Sequence, residues 1–151
     1  MDKGSLKSQG FIRAKNHSFQ KAIIWQRYLS LGALCFAFVV IGLGALTRLV
    51  DAGLGCPDWP GCYGHLTVLA AEQDHQLSLV YPTTPLVSYK AWAEMVHRYC
   101  AGLLSVLILG VLAVLMIRFV REKRTGLLAL GLGLLALIIY QIMLGRWTVT
   151  L

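Results

Sequence analysis

From Tyr99 to Ile117 the chain carries no charged residue. As a helix rising about 1.5 Å per residue, such a run is long enough to cross the ~30 Å hydrocarbon core of a bilayer. Water cannot satisfy a backbone inside that core, so the segment has to be helical. Two further apolar runs, roughly 29–47 and 126–144, are of the same kind. The expected fold class is an all-α membrane protein with three transmembrane helices, at about 29–47, 92–117 and 126–144. A content of 57% hydrophobic and 14% charged residues agrees, because a soluble domain is far less apolar.

The net charge of +7 does not point to nucleic acid, because the cations form two clusters flanking apolar runs rather than a basic face. Lys3, Lys7, Arg13, Lys15, Lys21 and Arg27 precede the first span; Arg118, Arg121, Lys123 and Arg124 fill the turn between the second and third. Positive residues favour the cytoplasmic side. The N-terminus and the 118–124 turn are therefore expected in the cytoplasm, with the 48–91 loop outside. Residues 1–28 read as a basic cytoplasmic segment ending in an interfacial stretch, with Trp25 and Tyr28 in the aromatic belt. The first apolar run is longer than a signal peptide's and lacks a convincing cleavage site, so it is expected to be retained. Residues 29–151 form the membrane domain.

The outer loop holds all four prolines, Pro57, Pro60, Pro82 and Pro85, with turn residues such as Asp51, Gly53, Gly55 and Asp58. Within it Cys56 and Cys62 close a short segment. If this side is an oxidising periplasm, a disulfide is expected there. The spacing is too wide for a thioredoxin-type motif, and the pair reads either as a staple or as a redox-active couple. Cys35 reads as a small packing residue. Ala33 with Ala37, and Ala129 with Gly133, suit close helix approach.

Glu94, His97 and Arg98 stand together at the head of the second span. Ionisable groups in a span are functional candidates. Glu94 and His97, at i and i+3, lie on nearly the same helix face. Neutral imidazole ligates haem iron well, and helix bundles commonly hold cofactors in this way. Equally, Glu94 could pair with Arg98 at i, i+4 while His97 packs in a helix interface. No second and third ligand stands at zinc spacing. Arg48 closes the first span and suits either bidentate anion binding or a snorkelling end charge. His17, His65 and His75 read as solvated, and Gln141 and Arg146 as interhelical polar contacts.

Three ordered segments resemble one family. Gly44-Ala-Leu-Thr-Arg-Leu-Val-Asp-Ala-Gly-Leu-Gly-Cys-Pro-Asp-Trp-Pro-Gly-Cys-Tyr-Gly64 is similar to the first-span exit and outer loop of haem A synthases. Glu94-Met-Val-His-Arg98 resembles their second-span haem motif, and Gln141-Ile-Met-Leu-Gly-Arg-Trp-Thr-Val-Thr-Leu151 their third-span exit. Residues 1–25 and 66–90 carry little of the likeness.

The resemblance implies a protein of two four-helix halves, each holding a haem between two histidines near the outer face. It implies oxidation of a haem O ring methyl to formyl, giving haem A for terminal oxidases. His97 would be an axial ligand of the N-terminal haem and Glu94 the acid beside the reacting substituent. Arg48 and Arg98 would bind the cofactor, a haem b or the haem O substrate, with no other metal. Cys56 and Cys62 would be the family's loop cysteine pair. The second N-terminal ligand belongs to a fourth span absent here, so the chain reads as the incomplete front of a four-plus-four helix bundle in a bacterial inner membrane. Expected partners are lipid, haem O with the synthase that makes it, the C-terminal half, and a second copy. The competing readings are a non-enzymatic, haem-b-binding electron-transfer anchor and a cofactor-free interaction subunit.

Overall fold

In the computed structural model, which describes residues 3–150, five helices follow in order: α1 Lys3–Leu49, α2 Val68–Gln73, α3 Leu77–Val80, α4 Ser88–Glu122 and α5 Thr125–Thr150. Among the described residues there is no strand, only the isolated bridge between Cys62 and His65. Segments Phe19–Leu49, Ser88–Glu122 and Thr125–Thr148 are long and apolar enough to cross a membrane. The chain is a multi-pass membrane protein. Two helix starts differ from expectation. The residues from Phe19 to Tyr28 continue into the first span without a break, and α4 begins one turn before Trp92.

The central helix is α4, with α1 and α5 each packed against it. The α1–α4 pair is antiparallel, and glycines mark its closest approaches. A Cβ on Gly44 would lie 3.0 Å from the His97 ring, and one on Gly110 would lie 3.3 Å from Leu29. At the C-terminal end of α4 Arg118 donates to Gln26 (2.9 Å) and to Glu122 (2.8 Å), while Arg121 sits 5.8 Å from the centre of the Phe19 ring. Only Lys123 and Arg124 separate α4 from α5. Lys123 takes a left-handed conformation, φ 53°, and closes α4 through its N–H to the Phe119 carbonyl. The small residue of α5 that meets α4 is Gly131, set against Met116 and Leu112. Ala129 is exposed and Gly133 has open space beside it, so that expected face does not form the contact.

Side chains such as Trp25, Phe38, Val106 and Leu130 remain exposed around the helices, as befits helices facing lipid or further helices. The compact core is instead in the loop between α1 and α4. Cys56, Cys62, Tyr63, Val68 and Ala71 pack on Ala91 and Met95 of α4, with Leu77, Tyr81 and Leu86 around them. The 66–90 stretch, featureless as sequence, thus supplies half of a cap on the N-terminal end of α4. Thr67 caps α2 by accepting the Ala70 N–H at 3.3 Å. Tyr63 meets Tyr81 edge to face, with centroids 5.1 Å apart, and donates to the Pro85 carbonyl at 3.2 Å. Burial, with the charges of Asp58 and Glu94, pushes the Tyr63 phenol above its usual pKa.

The cap is fastened where α1 ends. Ala52 is fully buried and donates to the Thr47 carbonyl at 2.8 Å. Lys90 reaches Asp51 at 2.9 Å, and that bond and charge hold the Asp51 carboxyl below its ordinary range. Gly55 lies flat on the backbone of α4: a Cβ there would stand 2.7 Å from the Lys90 carbonyl carbon and 2.9 Å from the Ala91 nitrogen. Backbone cannot yield as a side-chain tip can. Gly55→Ala is therefore expected to lift the loop and cost about 1–3 kcal/mol, the usual range for overpacking. Gly53→Ala, with nothing within 4 Å, is the control. Limited proteolysis of the loop reads both, and equal cleavage rates for the two variants would contradict the contact.

Candidate functional site

The N-terminal end of α4 buries an ion pair. Glu94 and Arg98, one turn apart, keep side-chain exposures of only 7% and 12% and bond to each other. Their remaining valences go to the loop. Glu94 Oε2 accepts the backbone N–H of Cys56 at 2.9 Å. Arg98 Nη1 donates to the Asp58 carbonyl at 2.9 Å and contacts the Pro60 and Gly61 carbonyls. The pair thus holds both the N–H and the carbonyl sides of the 56–62 segment. The i, i+4 ion pair anticipated as one reading is formed, and the loop is its third member.

That segment is shaped so that its carbonyls converge. Cys56 and Cys62 have Cα atoms 4.8 Å apart, with their sulfurs at bonding distance. The Trp59–Pro60 peptide is cis. Beyond it, Cys62 and His65 exchange backbone hydrogen bonds of 2.8 and 3.1 Å around Tyr63 (φ 55°) and Gly64 (φ 77°). Two positive φ values make the tight two-residue hairpin turn. Asp58 holds it by accepting the N–H groups of Tyr63 (2.6 Å) and Gly64 (2.7 Å). His65, expected to be solvated, bonds Asp74 at 3.0 Å. The Gln76 N–H and His65 together keep the Asp74 carboxyl below its ordinary range.

His97, one turn below Glu94, faces α1 at Val40 and Gly44. Its Nδ1 is buried, and among the described residues it has no hydrogen-bond partner. A buried imidazole nitrogen left unpaired costs free energy, about 1–3 kcal/mol. Gly44 is the residue that makes room, since any side chain there presses on the ring. Sequence reading missed this role and that of Gly55. The usable signal was their place beside Thr47 and Cys56, where the first span meets the loop.

Arg48 is exposed on the last turn of α1 and shares none of these bonds. His75 is exposed, as expected of a solvated histidine, and Gln141, expected in an interhelical contact, is exposed as well. Ser105, on the His97 face, turns its hydroxyl to the Ala101 carbonyl at 2.9 Å.

Comparison with known proteins gives a consistent picture. The sequence profile of a family described as "Cytochrome oxidase assembly protein" matches residues 27–151. A protein of Shewanella oneidensis named "Heme A synthase" is 46% identical over 121 residues, covering 78% of this chain and 34% of that protein. A "Heme A synthase" of Exiguobacterium sibiricum is 30% identical over 102 residues, covering 68% of this chain and 28% of that protein. One from Geobacillus thermodenitrificans is 29% identical over 97 residues, covering 64% and 25%. The chain thus spans about a third or less of the length of these curated relatives. No solved structure matches it.

Removing one member of a buried ion pair strands the other, at a typical cost of about 3–5 kcal/mol. Glu94→Ala is expected to destabilise the N-terminal end of α4 by that order and to free the loop. Glu94→Gln keeps an acceptor for the Cys56 N–H and costs less. Thermal unfolding in detergent tests the ranking; equal melting of Glu94→Ala and the parent would sink it.

Proposed function

Since the chain belongs to the cytochrome oxidase assembly protein family, we propose that it forms the N-terminal haem site of a longer haem A synthase. That enzyme oxidises a ring methyl of haem O to a formyl group, giving haem A for terminal oxidases. The observation that carries the reading is the His97 imidazole, seated on Gly44 with Nδ1 unpaired. Buried side-chain polar atoms are hydrogen-bonded in the large majority of cases, so an unpaired Nδ1 beside the contact with Val40 supports a further role for the ring. The donor present fits one axial position of a haem.

In this reading His97 would hold the haem through its imidazole, between the helices of the bundle. A haem b held there supplies the redox chemistry. The protein's own part is orientation. Gly44 sets the ring against α1. Glu94, one turn toward the outer face, is the acid beside the reacting substituent, and Arg98 with the Cys56 N–H holds its carboxylate in place. The cap over the end of α4 shields that pair from water, which strengthens every charge interaction beneath it. Arg48, exposed at the end of α1, would be the cation open to a haem carboxylate, whereas Arg98 is already taken up by Glu94 and the loop carbonyls. Cys56 and Cys62 form a disulfide on the periplasmic side. The positive-inside pattern supports a bacterial inner membrane with the N-terminus in the cytoplasm. Proposed partners are lipid, a haem O donor protein, the C-terminal half and a second copy.

A single observation favours a second reading. The described residues supply one histidine in the spans, which alone suffices for a non-enzymatic haem b anchor. Expression of the full-length protein in a strain lacking haem A synthase separates the two. Restored haem A is expected, and persistent haem O accumulation would leave the anchor. His97→Ala in the full-length protein is expected to lose the absorption bands of the N-terminal haem, about half the haem content of a two-site protein. Unchanged haem content would overturn the ligand role.

A further inference from the structure

Arg98 divides its donors between a carboxylate and the main chain of the loop. One nitrogen reaches the carbonyls of Asp58, Pro60 and Gly61, all inside the ring that Cys56 and Cys62 would close. The other holds Glu94, whose second oxygen takes the Cys56 N–H. The guanidinium is nearly buried, so these bonds compete with little water. Gly55 presses the start of the ring onto α4, and Met95, also against Arg98, closes the space below. Arg98 and Glu94 together tie both ends of the 56–62 segment to α4 one turn from His97.

We propose that Arg98 is a positioning residue that sets the redox poise of the Cys56–Cys62 pair by holding its ring closed on the Glu94 carboxylate. The physical argument is linkage. A contact made only by the closed loop raises the effective concentration of one thiol at the other and so favours the disulfide. By reciprocity, the disulfide favours the clamp on Glu94 to the same degree. Opening the bond with a dithiol is balanced: the S–S bond of Cys56–Cys62 breaks, two S–H bonds form, and the dithiol leaves as its own disulfide. Reduction thereby loosens Glu94 from the loop, so the state of the cysteines reaches the residue one turn above His97. The inference rests on the proposed loop disulfide and on no bound haem.

The test uses full-length protein with Cys35→Ser and Cys100→Ser, so that only the loop pair reports. The protein is equilibrated with mixtures of reduced and oxidised dithiothreitol, and free thiols are trapped with a maleimide. Arg98→Gln is expected to shift the midpoint roughly tenfold toward easier reduction, about 30 mV for a two-electron couple. Arg98→Lys keeps the charge but not the planar fork and should recover part of the shift. Arg124→Gln, at the opposite end of α4, should match the parent. Identical midpoints for Arg98→Gln and the parent overturn the proposal. If Arg98→Gln does not accumulate, Arg98→Lys decides: a smaller shift in the same direction supports it, and a parental midpoint overturns it. A parent whose loop cysteines stay reduced in every mixture refutes the disulfide itself, a failure distinct from an inert Arg98.

Discussion

A carboxylate and a guanidinium buried one turn apart must find every partner they need within the protein, because the surrounding dielectric will not supply them. On α4 those partners are backbone groups of a segment far away in sequence. The electrostatic demand of Glu94 and Arg98 therefore fixes where the loop sits. Its hydrophobic contacts with Ala91 and Met95 are the consequence of that docking as much as its cause. Remove the pair and the loop keeps its own hairpin, its Asp58 cap and its aromatic contact, but loses its address.

Below the cap, the helices meet through notches rather than through a large apolar core. A glycine faces a bulky side chain at each tight point: Gly44 under His97, Gly110 against Leu29 and Gly131 against Met116. This suits a setting in which lipid is as apolar as leucine and only close packing distinguishes one helix neighbour from another. It also explains why so much apolar surface is left outward on all three long helices.

Apolar runs made the three long helices and their order legible, since a backbone in hydrocarbon has no other solution. The i, i+4 spacing offered the Glu94–Arg98 pair as one of two readings, and the structure forms it. Three things were not legible. The cap core depends on contacts between Tyr63, Tyr81 and α4, which no periodicity encodes. His65 finds Asp74 only because a left-handed Tyr63–Gly64 turn brings them together, and a tyrosine at positive φ leaves no sequence signature. The α5 contact uses Gly131 rather than Ala129 and Gly133, because small residues tell which faces can approach, not which face a neighbour occupies.

The paired glycines and bulky residues along α1 and α4 act as a key and its wards. A slide of one turn would carry His97 about 5.4 Å along the bilayer normal and set it against a side chain in place of a notch. Gly44 would then no longer receive the ring, and Leu29 would lose its recess at Gly110. The depth of the imidazole in the membrane is therefore written into helix register, and a change to either glycine, however far from the loop, is a change in how far below the surface that nitrogen waits.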